Sequence, residues 1–318
     1  MPCTVGLDIA KDSVQVAVLP QGITWTSPTS RRGLASLVTK LTALAPALIV
    51  LEATGGYEIP VASALQSAGL PVSIVAPQRI RAFAKALGIL GKTDRLDAHV
   101  LARYAAQVAP ALRPLPDAVE RGLSLLVQRR RQLTDMLTME EQRLEQQALF
   151  PRSPITASLA AHVDYLRQEL DDTNRALTTF LASHPRWDET HALLRSVPGI
   201  GPITAATLLA DLPELGRLRR QEIAALVGVA PFARESGTWR GQRLIRGGRA
   251  DLRHALYMAA LTCTRVPGPL RLFYRQLRAR GKPFKVALIA CLRRLLTILN
   301  AILRDRRPWN PLAADVRA

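Results

Sequence analysis

Thr4–Pro20, "TVGLDIAKDSVQVAVLP", decides how the chain is read. Two runs of aliphatic and β-branched residues flank the polar pair Lys11-Asp12, the pattern of two strands joined as a hairpin. Asp12 falls in the turn, where aspartate is at home. Asp8 does not: it interrupts an otherwise apolar strand. Working outward, "GITWTS" offers a third strand. "RRGLASLVTKLTAL" has helical periodicity, "ALIVLEA" reads as a buried strand ending near Glu52, "YEIPVASALQSAG" as a helix with a glycine stop, and "LPVSIVAP" as another strand. Helices over "PQRIRAFAKALG" and "DRLDAHVLARYAAQ" follow. Three strands, then helices and strands in alternation, predict an α/β unit: a mixed sheet covered by helices.

The middle third changes character. From Val119 the apolar residues are Leu123, Leu126, Leu133, Leu137 and Leu144, with Arg130 and Glu140 in the intervening seam positions. A second run carries Leu159, Val163, Leu166, Leu170, Thr173, Leu177 and Phe180, and the prolines of "FPRSPIT" separate the two. The spacing predicts two long heptad helices. They form either a hairpin within one chain that spaces two domains or an arm that dimerises. The last third is helical again, with "LLRSVPGIGPITAATLLADL", "QEIAALVGVAP" and three helix-like runs from Asp251 onward.

A chain of 318 residues has room for about two domains. Lys and Arg number 43 against 25 Asp and Glu, a net charge of +18, which points to a polyanion and first of all to nucleic acid. The most apolar stretch, "FKVALIACLRRLLTILNAIL", has Arg293 and Arg294 at its centre and suits a bilayer poorly, so no membrane partner is expected. "MPCTVGLDIAKDS" has no basic segment followed by an apolar one, so no secretory signal is expected. Cys3, Cys263 and Cys291 show no zinc or redox spacing. A cytoplasmic location follows as the expectation.

Three motifs could carry chemistry. Asp8, Glu52, Asp94 and Asp97 can be brought together by strand ends and one helix face, since Asp94 and Asp97 are three apart. Such a cluster needs cations, and oxygen-only ligation suits Mg²⁺ or Mn²⁺, as in metal-assisted phosphodiester cleavage; solvated surface acids are the other reading. Gly199 and Gly201 precede a helix starting near Pro202, a helix-hairpin-helix that can hold a phosphate on exposed N–H groups; an ordinary helix corner is the alternative. Finally, "FARESGTWRGQRLIRGGRADLRHAL" (232–256) surrounds Ser236 with Arg234, Arg240, Arg243, Arg246, Arg249 and Arg253 and with glycines. Arginine forks match phosphate oxygens. The stretch is either a nucleic-acid-binding loop or the setting of a serine nucleophile, which would need activation. His254 could act as a base or lie on a helix surface.

"GLDIAKDSVQVAV", "LEATGGYE", "VAPQRIRAFAKALGILGKTDRLDAHVLARYA", "SVPGIGPITAATLLADL" and "LVGVAPFARESGTWRGQRLIRGGRADLRHALYMAAL" occur in this order. Together they resemble the bacterial DEDD transposases of the insertion-sequence-110 family, from Val5 to about Leu261. The resemblance implies an RNase H/RuvC-like catalytic domain over 1–112, a coiled-coil insert over 113–186 and a helical C-terminal transposase domain over 187–318. It implies that Asp8, Glu52, Asp94 and Asp97 are the four acidic positions and hold the metal, and that Ser236 attacks DNA to form a phosphoserine link. It also implies donor and target DNA as substrates, a bridge RNA as guide, and a homodimer, or a tetramer when two DNA sites are paired. A RuvC-like structure-specific endonuclease using water and a non-enzymatic nucleic-acid binder remain alternatives.

Overall fold

In a computed structural model, the alternation in Thr4–Leu19 produces the expected hairpin. β1 (Thr4–Ile9) and β2 (Ser13–Leu19) pair antiparallel, with Thr4 opposite Leu19 and Ile9 opposite Val14. The structure describes residues 2–89, 91, 93–112, 115–147, 149–150, 154–233, 235–236, 239–241 and 243–310, without the side chains of Asp94, Arg95, Glu235, Ser236, Trp239 and Arg240. Two compact units divide it, Met1–Pro116 and Asp117–Ala318.

In the first unit β3 (Ile23–Pro28) pairs antiparallel with β2. After α1 (Arg31–Leu44), β4 (Leu48–Glu52) runs parallel to β1; after α2 (Glu58–Ser67), β5 (Val72–Val75) runs parallel to β4. The five-stranded mixed sheet has the order β3-β2-β1-β4-β5, and α3 (Pro77–Ala86) and α4 (Asp94–Val108) follow. Alternation gives each strand two faces. Val5, Leu7, Ile9, Ile49 and Leu51 pack with Leu37 and Leu41 of α1 and Val61 and Leu65 of α2. Leu48, Val50 and Val75 pack with Val100, Leu101 and Tyr104 of α4.

The second unit opens on α5 (Ala118–Gln147) and α6 (Thr156–Ala182). Their seam is closed within the chain, as the hairpin reading expects. Leu123, Val127 and Leu133 are buried on α5, and Val163, Leu166 and Leu177 on α6. The cross-links run antiparallel: Gly122 lies against Phe180, Arg130 Nε donates to Asn174 at 2.8 Å, and Arg167 pairs with Glu141 at 2.8 Å. A 3-10 turn (Pro185–Trp187) leads into α7 (Asp188–Arg195), α8 (Pro202–Asp211) and α9 (Arg220–Val227). The arginine-glycine stretch forms four two-residue strands, β6 (Pro231–Phe232), β7 (Glu235–Ser236), β8 (Trp239–Arg240) and β9 (Leu244–Ile245). Then come α10 (Ala250–Arg265), α11 (Pro269–Ala279) and α12 (Phe284–Asp305).

By length and composition α12 could cross a membrane. Here it is the core helix of its unit. Leu288, Leu292, Leu295, Leu296 and Leu299 are buried against α7 to α10, each contributing roughly 1.5–3 kcal/mol. The three cysteines are free thiols, and burial pushes Cys263 up to about 11 and Cys291 to about 12.

Candidate active site

Thr4, Gly6 and Asp8 share the face of β1 that α4 covers. The Thr4 hydroxyl donates to the Ala102 carbonyl at 3.2 Å. A Cβ on Gly6 would lie 2.1 Å from the Ala98 carbonyl oxygen and 2.3 Å from the Ala102 nitrogen. Only glycine lets the helix backbone rest on the strand here. The contacts move toward the start of α4 as β1 advances, so Asp8 lies at the end where α4 begins with Asp94 and carries Asp97. Leu7 pairs with Leu51 across the parallel strands, which makes Glu52 the next neighbour of Asp8. Glu52 follows Val50 by two residues and therefore shares its α4-facing side.

Local capping fixes both ends of this arrangement. The Thr93 hydroxyl accepts from the Leu96 amide and starts α4. Beyond Glu52, the buried Glu58 carboxylate accepts from the amides of Thr54 and Gly56, both at 2.9 Å, while the Thr54 hydroxyl donates to the Glu52 carbonyl. Gly55 and Gly56 take positive φ in this turn. Sequence reasoning missed Gly6 and Glu58 as positioning residues. Their signals were a glycine inside a strand and an acid just after Gly-Gly.

Asp8, Glu52 and Asp97 are part-buried, and the Asp94 side chain lies outside the described residues. Among the described residues, no three His, Cys, Asp or Glu side chains gather closely enough to hold a metal. The donor chemistry nevertheless fits a hard cation: carboxylates alone, from two adjacent strand ends and the first turn of the facing helix.

In the second unit, β7 pairs with β8, Ser236 opposite Trp239, inside an outer pair formed by β6 and β9. Ser236 thus stands at the inner end of a nested loop, while Gly237 and Arg234 lie outside the described residues. The loop closes on glycine. Gly228, Gly247 and Gly248 all have positive φ, and a Cβ on Gly248 would lie 2.2 Å from the Gly228 nitrogen. Of the loop glycines, Gly248 is thus required by a backbone crossing against Gly228.

The arginines divide by role. Arg249 spends both terminal nitrogens on Glu214 (2.7 and 2.6 Å) and on the Asp211 carbonyl (2.7 Å). Arg253 Nη1 donates to the carbonyls of Gly247 (2.6 Å) and Gly228 (3.3 Å). These two, expected as phosphate contacts, hold the loop to the helices. Arg243 and Arg246 are exposed, with Arg246 lying 6.0 Å over the Phe232 ring. For Arg240 only the backbone is described. His254 is exposed on α10. Arg131 of α5 reaches Asp211 (2.6 Å) and Asp251 (2.7 Å), tying the hairpin to the helices that carry the loop. Burial raises the Asp211 pKa against the pull of Arg131.

Gly199 and Gly201 lie in the turn between α7 and α8. Gly199 has φ +96, and a Cβ there would meet Cys263 Sγ at 2.7 Å, so this glycine serves packing. Gly201 caps α8 with open space around it, ahead of Pro202.

An α/β unit with carboxylates at its strand ends, in one chain with a helical unit that carries an exposed basic loop, suits a protein that acts on polynucleotides. Residues 5–150 match the DEDD family model of IS110 type described as "Transposase", and residues 191–275 match that described as "Transposase IS116/IS110/IS902 family". The chain is 30% identical to the "Pilin gene-inverting protein" of Moraxella bovis over 96% of its own length and 97% of that protein, with the same figures for the Moraxella lacunata protein. It is also 30% identical, over 48% of its length and 37% of the relative, to "Insertion element IS110 uncharacterized 43.6 kDa protein" of Streptomyces coelicolor. The chain belongs to the IS110 family of transposases, enzymes that cut and rejoin DNA.

Proposed function

We propose that this transposase is a site-specific recombinase of a bacterial insertion sequence that works through a covalent Ser236–DNA link. Its organisation would be a RuvC-like domain over 1–112, a coiled coil over 113–186, and a C-terminal domain over 187–318 with a helix-hairpin-helix at Gly199 and Gly201. The near full-length similarity to two proteins named for gene inversion supports a DNA-rearranging activity.

Asp8, Glu52, Asp94 and Asp97 would hold Mg²⁺ or Mn²⁺, which when bound supplies Lewis-acid stabilisation of the reacting phosphate. The Ser236 Oγ forms a bond to the scissile phosphorus as the bond to the leaving sugar oxygen breaks. The hydroxyl proton passes to a base and the leaving oxygen gains one. Arg243 and Arg246 hold the non-bridging oxygens as their charge grows. The phosphoserine conserves the phosphodiester, so a hydroxyl on another strand reverses the attack and reseals DNA without ATP. A bridge RNA would pair with donor and target DNA, and a dimer, or a tetramer of two dimers, would hold both sites in the cytoplasm at the nucleoid.

The observation that carries this reading is the shared face and strand-end placement of Asp8 and Glu52 opposite the start of α4. Asp8→Asn and Asp97→Asn should each lower Mg²⁺-dependent cleavage at least about a hundredfold while leaving DNA and RNA affinity within about twofold. Parental cleavage by Asp8→Asn would remove the acidic centre from the mechanism.

A further inference from the structure

Pro269–Lys285, "PLRLFYRQLRARGKPFK", carries six cations and no acid. On α11, Arg271, Arg275 and Arg278 are four and three positions apart, which sets them on one stripe about 10 Å long. Leu270 is buried on the inner side, and Arg275 and Arg278 are exposed. Past the helix the chain turns at Gly281 (φ +74). Arg278 Nη1 donates to the Lys282 carbonyl at 2.7 Å, and the Lys282 amide donates to Leu277. Arg280, Lys282 and Lys285 carry the exposed charge around this turn into α12.

Among the described residues, none of these six cations pairs with a carboxylate, whereas Arg131, Arg186, Arg249 and Arg306 of the same unit all do. Like charges left together repel, and a polyanion relieves that repulsion while releasing its counterions. Apolar side chains stand exposed among the cations: Leu272 (59%), Phe284 (43%) and Val286 (54%). The Phe284 ring lies edge-on to Tyr274, centroids 6.4 Å apart. A duplex turns its bases inward and offers phosphates and groove edges. An exposed ring set among cations, as Phe284 is, suits unstacked bases. An anionic bilayer fits less well. An interfacial helix turns its apolar face outward, whereas Leu270 packs into the core and Phe273 is covered by Arg294 at 4.9 Å.

We propose that α11 and the turn into α12 form a binding track for an unpaired nucleic-acid strand, the cations following its phosphates and Phe284 stacking on a base. This track shares no residue with the acidic positions or the Ser236 loop, and it stands whether or not Ser236 is the nucleophile.

The test uses the full-length protein and fluorescence anisotropy with a labelled unpaired 20-mer of about mixed composition and a blunt duplex of the same sequence. The triple variant Arg271→Gln/Arg275→Gln/Arg278→Gln should weaken single-strand binding about tenfold or more at 0.1 M salt. It should also shallow the slope of log affinity against log salt by roughly 2. Lys282→Gln/Lys285→Gln, which leaves α11 untouched, should shallow it by roughly 1. Phe284→Ala should cost about fivefold or more on the unpaired strand and less than about twofold on the duplex. Unchanged single-strand affinity in both charge variants, or equal losses for duplex and single strand, would overturn the proposal. So would a parental protein that binds anionic phospholipid vesicles but not the unpaired strand.

Discussion

Asp8 and Glu52 stand on strands of a five-stranded sheet, whereas Ser236 stands in a two-residue strand of a loop that leaves the helical unit and returns. The acidic residues are set by long-range order. β1 is paired on both sides, and α4 rests on it at Gly6 with no room for a Cβ. The base of the loop is fixed by the Gly228–Gly248 crossing and by Arg249 and Arg253. Metal-type ligands need geometry held to fractions of an ångström, and regular elements supply it. On the proposed mechanism Ser236 would carry a DNA strand from one partner to another, a role suited to an excursion with a firm base. Basic residues follow the same division: those at the base of the loop are used in folding, and Arg243 and Arg246 further out are exposed to solvent.

The largest effect is expected at Gly6. Gly6→Val would drive a side chain into the α4 backbone, lowering stability by about 3 kcal/mol and separating Asp97 from Asp8. Thermal unfolding and Mg²⁺-dependent cleavage should both show the loss, and a fully active, equally stable variant would mean that α4 does not seat on β1 as described. A smaller effect is expected from Arg249→Ala, which leaves the part-buried Glu214 without its bidentate partner at a cost of roughly 1–3 kcal/mol. Arg246→Gln should sharpen the contrast from the other side. Its effect on stability should stay within about 0.5 kcal/mol, yet the salt dependence of DNA binding should become shallower by roughly 0.9. If Arg249→Ala and Arg246→Gln gave the same pattern, the division of the arginines would fail.

Much of the sheet was legible because its signal is local. Alternation in β1 and β2, turn residues at Lys11-Asp12 and glycine stops gave the element order, and Asp8 stood out as an acid in an apolar strand. The two long helices were equally plain in their heptads. Whether the seam closes within the chain is not local: a leucine such as Leu166 records that it needs a partner, not which helix supplies it. The arginines show the same limit. Arg249 and Arg246 sit three residues apart in one basic stretch, and what separates them is Glu214, which lies 35 residues away from Arg249 in sequence and within 2.7 Å in space. Gly6 was missed because its role depends on the backbone of α4, and Glu58 because it caps amides rather than pairing with a charge.

The fate of the Ser236 hydroxyl separates covalent catalysis from attack by water. DNA labelled beside the cleavage site is incubated with protein, Mg²⁺ and the proposed bridge RNA, and the products are run on a denaturing gel, with the linked residue identified by mass spectrometry. The parental protein should retain label in a protein–DNA adduct joined through phosphoserine at position 236. Ser236→Ala should bind nucleic acid normally and give no adduct. If Ser236→Ala cleaves and exchanges strands at the parental rate, the hydroxyl is only a phosphate contact and water is the nucleophile.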